Sequence, residues 1–197
     1  DNDTGLRLKL AKDLIDEMFL LMYCDNYWPM QIGKMWEKFV SLDAKALVTV
    51  YNNRDNYTKS NLRVDECDKV VVYDKTRTAP DLQGVDIGFL IARKETIDLI
   101  PSGNASFEGN VYPKLIVDGQ LAAYRTDHRY YSVGDHRRLT ITDAFLVGRK
   151  AVILDRDGVL NKKAPKAEYV KTWSEFEWLP GAKEALALLS GAGCVVI

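Results

Sequence analysis

Apolar positions change their spacing several times along the chain, and each change marks an element. Leu6, Leu10 and Leu14 recur at helical spacing, which predicts a helix over residues 6–15. Residues 18–23 are wholly apolar and end at Cys24-Asp25-Asn26, the pattern of a strand buried on both faces. Ile32, Trp36, Phe39 and Val40 fall on one side of a helix. Residues 45–51 carry Ala-Leu-Val-Thr-Val, a second buried strand. Strand, helix and strand with apolar strands predict a parallel sheet. Leu62-Arg63-Val64 and Val70-Val71-Val72-Tyr73 flank Asp65-Glu66-Cys67-Asp68, which predicts a hairpin. Residues 85–92 read as a strand, 107–115 as a short helix, 121–124 and 130–133 as short strands, and 139–147 as a helix.

After the polar break Gly148-Arg149-Lys150 the pattern starts again. Ala151-Val152-Ile153-Leu154 predicts a buried strand ending on Asp155. A polar stretch with Lys162, Lys163, Lys166 and Glu168 follows. Pro180-Gly181 opens a helix whose inner face holds Ala185, Leu186 and Leu189, and Gly191 and Gly193 close it. Cys194-Val195-Val196-Ile197 begins a further strand. Two parallel strands are too few to be stable alone. The expectation is therefore two units, residues 1–148 and 149–197, the second a fragment.

Composition narrows the classes. Of 197 residues, 47% are hydrophobic and 28% charged, the balance of a folded globular chain rather than a disordered one. A net charge of −1 gives no general attraction to nucleic acid or anionic membrane. No apolar run is long enough for a bilayer span, and the acidic start Asp1-Asn2-Asp3 does not read as a signal peptide. Cys24, Cys67 and Cys194 are odd in number, widely spaced and without a CxxC pair, so disulfides or zinc are not expected. His128 and His136 are the only histidines. These features place the chain among cytoplasmic, cysteine-reduced proteins.

The sharpest chemical signal is Asp155-Arg156-Asp157-Gly158-Val159. Asp155 closes an apolar strand, where open α/β sheets bind their ligands. A carboxylate there can attack phosphorus and form an aspartyl-phosphate. Asp157 could protonate the leaving oxygen and then activate water. Gly158 would let the chain turn away, and magnesium would screen nucleophile and phosphate. One competing reading is an acidic surface turn. A calcium loop is another, but the fifth, sixth and twelfth positions would be Val159, Leu160 and Lys166, which do not fit.

Further residues extend the pattern: Leu160-Asn161, Tyr169-Val170, Phe176, Leu179-Pro180-Gly181 and Glu184-Ala185-Leu186 with Leu189. Together they resemble the start of haloacid dehalogenase-like phosphatases of the histidinol-phosphate and heptose-bisphosphate branch, over residues 151–197. The resemblance implies Asp155 as nucleophile and Asp157 as acid/base. Asp155, with the backbone carbonyl of Asp157, would hold Mg2+. The family's later Ser/Thr-Asn turn, its Lys or Arg and its further acidic ligands have no counterpart in these residues.

A second resemblance covers residues 3–146. Thr4-Gly5 with its helix, Leu20 to Asn26, Val71-Val72-Tyr73-Asp74-Lys75, Val85-Asp86-Ile87-Gly88-Phe89, and Ser106-Phe107-Glu108 with Val111-Tyr112-Pro113-Lys114-Leu115 stand in the order seen in sugar-1-phosphate nucleotidyltransferases. By composition alone Asp25 would be a helix cap before Pro29, Lys75 a solvated lysine, and Glu108 a first-turn helix acid. The resemblance implies instead that Asp25 binds Mg2+, Lys75 contacts the sugar phosphate, Gly88 lines the sugar pocket and Glu108 holds sugar hydroxyls. It also implies a Rossmann-like mixed sheet, α/β in class, and nucleoside triphosphate and sugar phosphate substrates.

Three departures accompany it. Cys24 replaces a small glycine, and the family's Gly-rich nucleotide loop has no counterpart. The second metal-binding acid of an Asp-Ile-Gly motif is replaced in Ser132-Val133-Gly134, with Asp135 on the far side of the glycine. The joint expectation is part of a bifunctional sugar-nucleotide enzyme. The alternative is a non-catalytic sugar-nucleotide module attached to a phosphatase.

Overall fold

A computed structural model describes residues 2–148, 150–165 and 170–196. The chain forms two compact units, Asp1–Arg138 and Leu139–Ile197, whereas the change in sequence pattern lies near residue 148.

The first unit is a sheet covered on both faces. Its elements are α1 (Thr4–Leu10), β1 (Met18–Met22), β2 (Asn26–Tyr27), α2 (Ile32–Ser41), β3 (Ala46–Tyr51), β4 (Leu62–Val64), β5 (Val70–Tyr73), β6 (Val85–Arg93), α3 (Phe107–Val117), β7 (Leu121–Thr126) and β8 (Tyr131–Ser132). The main sheet has the order β1-β6-β3-β7. β6 is antiparallel to both β1 and β3, while β3 and β7 are parallel. The sheet is therefore mixed and not wholly parallel. β1 and β3 do run in one direction, as strand–helix–strand implied, but β6 is inserted between them.

β3 carries the core. Its six residues are all buried, and alternate side chains serve opposite faces. Ala46, Val48 and Val50 pack with Leu8 of α1, the β4–β5 hairpin, and Phe107, Val111 and Leu115 of α3. Leu47 and Tyr51 pack on the other face with Met35 and Phe39 of α2, Trp28, Ile87 and Phe89. Each fully buried leucine or phenylalanine contributes roughly 1.5–3 kcal/mol.

Several expected faces are phased differently. β1 is an edge strand with Met18, Leu20 and Met22 exposed, because only β6 pairs with it. The first helix stops at Leu10, a 3-10 turn follows at Lys12–Leu14, and Gly5 and Leu8 are its buried positions. Leu10 and Leu14 are 71% and 90% exposed, so the leucine stripe does not face the core. α2 buries Met35 and Phe39, while Ile32, Trp36 and Val40 stay exposed. The leucines of the first helix lie on more than one side, so their period does not fix which side meets the sheet, whereas the apolar residues of α2 form one stripe of which only the Met35–Phe39 edge is covered.

The second unit contains most of α4 (His136–Leu146), then β9 (Ala151–Val152), α5 (Ala182–Gly191) and β10 (Val195–Val196). β9 and β10 pair in parallel as an isolated ladder. The predicted buried strand over 151–154 shrinks to two residues, and Ile153 is 81% exposed. With one neighbouring strand there is nothing to cover it. On α5, Ala182 is buried, Leu186 and Leu189 are half-buried and Ala185 is exposed. Lys166, Glu168, Tyr169 and Ile197 lie outside the described residues. No helix among the described residues is long and apolar enough to cross a membrane.

Candidate active site

Asp25 occupies the turn after β1, tied down on two sides. Tyr23 N–H donates to Gly88 O at 3.0 Å, and Asn26 Nδ2 donates to Ile87 O at 3.0 Å, anchoring the turn to β6. On the other side β2 pairs with β8, setting Asn26 opposite Ser132, and Val133 N–H donates to Asp25 O at 3.0 Å. A side-chain carbon on Gly134 would lie 3.4 Å from Asp25 Oδ2. Asp25 and the Ser132-Val133-Gly134 segment, more than a hundred residues apart in sequence, are thus neighbours. The Asp25 carboxylate is exposed and makes no hydrogen bond within the described residues.

Gly88 has φ +79, and a Cβ there would come within 2.5 Å of the Tyr23 ring. The pairing of β3 with β6 is irregular between Val48 and Val50, opposite this glycine. Only glycine suits a left-handed residue pressed against an aromatic ring. Gly88 therefore sets the position of Tyr23 and, through it, the Asp25 turn.

Glu108 stands in the first turn of α3, whose N-cap Ser106 accepts from Gly109 N–H at 3.2 Å. Its Oε2 accepts from Ser106 Oγ at 2.8 Å and from Thr4 Oγ1 at 3.2 Å. Its Oε1 is buried and has no partner among the described residues. Burial pushes the Glu108 carboxyl up, against the hydrogen bonds that favour its charged form. Thr4 Oγ1 in turn accepts from Phe107 N–H at 2.9 Å, and Gly5 N–H donates to Ala105 O at 2.9 Å. A Cβ on Gly5 would meet that carbonyl at 2.5 Å, so the Thr4-Gly5 pair is the contact that lets α1 reach α3.

A cleft of ≈ 560 Å³ runs past Thr4, Arg7, Leu21, Tyr23 and Asp25. It brings the Asp25 turn and the Thr4 end of the Glu108 cluster onto one surface. Gly88 contributes through Tyr23. Lys75 does not line it: this lysine is exposed on the turn after β5. Asp74 organises that turn, accepting from Thr76 Oγ1 at 2.6 Å and from the N–H groups of Thr78 and Ala79 at 2.7 and 2.8 Å. These bonds hold the Asp74 carboxyl well below the usual carboxylate range.

Asp86 carries a site feature that sequence reading did not single out. Its Oδ1 accepts from Gly88 N–H at 2.9 Å, and its own N–H donates to Asn61 Oδ1 at 2.9 Å. Burial pushes its carboxyl up to about 6, against the Gly88 and Tyr112 hydrogen bonds and the field of Arg77. The Tyr112 phenol is pushed well up by burial and by Asp86 and Glu108. An acid inside the apolar run Val85-Asp86-Ile87 was the available signal.

In the second unit Asp155 Oδ1 accepts from Arg156 N–H at 2.8 Å and is exposed. Arg156 grips Asp157 with two bonds, Nε to Oδ1 and Nη2 to Oδ2, both 3.0 Å. Arg156 Nη2 also donates to Val170 O at 2.9 Å. The guanidinium bonds, first, and Asn161 hold the Asp157 carboxyl below its ordinary range. Gly158, at φ +95, makes the sharp turn expected of it.

Magnesium commonly takes one or two carboxylates and fills its remaining positions with substrate phosphates and water. The free Asp25 carboxylate fits that pattern as a single protein ligand. No group of three or more His, Cys, Asp or Glu side chains poised for a metal exists among the described residues. Ser132 is 1% exposed and receives Arg138 Nη1 at 3.3 Å, so its hydroxyl is not turned out as a ligand.

The first unit has the fold of the sugar nucleotidyltransferases. A structure described as a glucose-1-phosphate thymidylyltransferase from Bacillus anthracis, in complex with sucrose, superposes at a TM-score of 0.62 with 16% identity, covering 73% of this chain and 61% of that one. HddC from Yersinia pseudotuberculosis gives a TM-score of 0.58 with 21% identity, covering 73% and 62%. At these identities the likeness concerns fold alone. In sequence, the chain is 30% identical over 127 residues to a protein named as a glucose-1-phosphate cytidylyltransferase in Bacillus subtilis, covering 64% of this chain and 48% of that protein. It is also 53% identical over 38 residues to the D-glycero-alpha-D-manno-heptose-1,7-bisphosphate 7-phosphatase of Mycobacterium tuberculosis, covering 19% of this chain and 20% of the phosphatase. The chain thus spans about half of one curated relative and a fifth of the other. No protein-family model matches it.

Proposed function

We propose that the chain is part of a bifunctional enzyme of sugar-nucleotide synthesis, in which one unit transfers a nucleotidyl group to a sugar 1-phosphate and the other begins a phosphatase. The observation that carries the reading is the pairing of β2 with β8, which leaves the Asp25 carboxylate, without a hydrogen-bond partner among the described residues, beside Gly134 on the lining of the cleft. In the transfer, an oxygen of the sugar 1-phosphate bonds to the α-phosphorus of a nucleoside triphosphate. The bond from that phosphorus to the β-phosphate oxygen breaks, and pyrophosphate leaves. Bound Mg2+ would neutralise charge on the transferring phosphate. Asp25 would hold it. Glu108 would hold sugar hydroxyls, which requires its buried Oε1, without a partner among the described residues, to be uncovered, and Lys75 would draw in the sugar phosphate.

Asp155 is the proposed nucleophile of the second unit and Asp157 its acid/base, with Mg2+ on Asp155 and the Asp157 carbonyl. For Asp157 to donate a proton, its carboxylate must first be released from Arg156. Heptose bisphosphate is the proposed phosphatase substrate, on the strength of the mycobacterial similarity.

The test is pyrophosphate release by the parent protein from a sugar 1-phosphate, a nucleoside triphosphate and Mg2+, with phosphate release from heptose bisphosphate measured alongside. Loss of the first activity in Asp25→Asn, and of the second in Asp155→Asn, is expected. A second reading, a non-catalytic binding module, draws on the buried Ser132 in place of an acid. Saturable sugar-nucleotide binding by the folded parent without pyrophosphate release would favour it.

A further inference from the structure

Two guanidinium groups meet on one neutral oxygen in the first unit. Arg77 Nη1 donates to Thr58 Oγ1 at 3.2 Å, and Arg138 Nη2 donates to the same oxygen at 3.4 Å. The cationic nitrogens are therefore separated by no more than those two bonds. Like charges at that range repel, and water at a protein surface screens them only in part. Arg77 otherwise donates to the Lys59 carbonyl and has no ion pair among the described residues. Arg138 has the Ser132 hydroxyl and Asp135, the latter at 3.5 Å. Asp86 feels the field of Arg77 but makes no ion pair with it, and the acids nearby have other partners. Asp74 is occupied by its own turn, Asp86 by Gly88 and Tyr112, and Asp55 by Tyr51 and Arg129.

The convergence is built and not incidental. Thr58 lies in residues 52–61, the loop after β3, and the buried Asn53 side chain shapes it. Asn53 Nδ2 donates to Thr58 O at 2.6 Å and to Ser60 Oγ at 3.2 Å, and its Oδ1 accepts from Thr58 N–H at 3.3 Å. Asn53 itself has φ +51. Arg77 has φ +61, held by the Asp74 turn through its N–H to Asp74 O at 3.1 Å. Asparagine adopts that conformation readily, but an arginine keeps it only when its surroundings hold it there. Both fields also reach the Tyr130 phenol, where they oppose the upward push of burial.

We propose that Arg77 and Arg138, with the Thr58 hydroxyl between them, form a seat for a phosphate monoester dianion. Two planar guanidinium forks match its oxygens, and the hydroxyl can turn to donate to it. The exposed Lys59 and Lys75 stand beside these residues in sequence and add attraction at longer range. Anion binding here requires no turnover, so it stands or falls separately from the transferase reading.

The experiment is calorimetric titration of the whole chain at low ionic strength with inorganic phosphate, glucose 1-phosphate and a nucleoside triphosphate. Saturable binding of the first two is expected. Arg77→Met and Arg138→Met should each weaken it at least tenfold, and Thr58→Val by about threefold. Arg63→Met, on β4, should leave it unchanged. Tight triphosphate binding lost in the same variants would place the anion on the nucleotide; glucose 1-phosphate binding tighter than that of inorganic phosphate, lost in the same variants, would place it on the sugar. Failure of the wild-type chain to bind any of the three overturns the proposal. So does unchanged affinity in a folded Arg77→Met or Thr58→Val, the two changes least able to disturb the core.

Discussion

Replacing Gly88 by alanine should damage stability through two separable terms. The backbone term comes from φ +79, a left-handed conformation. For alanine it costs roughly 1–2 kcal/mol. The packing term comes from the Tyr23 ring: the new methyl would sit 2.5 Å from Cδ2, 3.0 Å from Cγ and 3.1 Å from Cβ. These are the root of the ring, not its tip, and the Tyr23 backbone is bonded to Gly88 O at 3.0 Å. The ring therefore cannot swing clear without moving the strand, and overpacking of this kind costs about 1–3 kcal/mol. The expected total is about 3 kcal/mol, measured by urea unfolding with an unchanged m value. In a Tyr23→Ala background the ring contacts are gone and only the 3.1 Å approach to Cβ remains beside the backbone term, so Gly88→Ala should then cost about 1–2 kcal/mol. The difference between backgrounds measures the contact. A loss below about 1 kcal/mol in the wild-type background, or equal losses in both, would refute the reasoning.

The pH dependence follows from Asp86. Its carboxyl is raised to about 6, so the folded state holds the proton more tightly than the unfolded chain. That stabilisation is full below about pH 4 and is lost as pH rises through 6. Asp86→Asn should therefore gain about 2 kcal/mol over wild type at pH 8 and almost nothing at pH 4, by unfolding at both values. Equal effects at the two pH values would contradict it. Leu47→Ala, at a fully buried β3 position, should cost about 2–5 kcal/mol. Leu14→Ala, at a position 90% exposed, should stay within about 0.5 kcal/mol in the same assay. Arg156→Ala should raise the Asp157 titration midpoint toward that of an ordinary carboxylate, read from carboxyl carbon shifts by NMR. An unmoved midpoint would show that Arg156 does not set it.

Local patterns were legible where a segment had one clear period. The β4–β5 hairpin, β3, β6 and α3 lie where their residues predict, because turn chemistry and a continuous apolar run each left one solution. Sidedness was not legible in β1 or α2. The apolar residues of β1 fall on both faces, and those of α2 form one broad stripe of which only the Met35–Phe39 edge is covered; which part is buried depends on strands such as β6 that arrive later in the chain. The same is true of the site. The resemblance pointed to Asp25, Gly88 and Glu108 as candidates, but the Asp25–Gly134 neighbourhood depends on the β2–β8 pairing, which no local pattern encodes. Arg138 and Thr58 carried no signal because a single arginine or threonine is ordinary in any loop or helix start.

The insertion of β6 between β1 and β3 also governs when this unit can form. Met18 pairs with Arg93 and Ala46 with Ala92, so neither early strand has a hydrogen-bonding neighbour on its β6 side until the chain has been made that far. Closing such distant pairs costs entropy before any contact repays it. On a ribosome the segment from α1 to β3 would emerge with apolar strands unpaired and unable to pair with each other directly. That interval, rather than the finished sheet, is when the molecule is most exposed to aggregation and most in need of a chaperone.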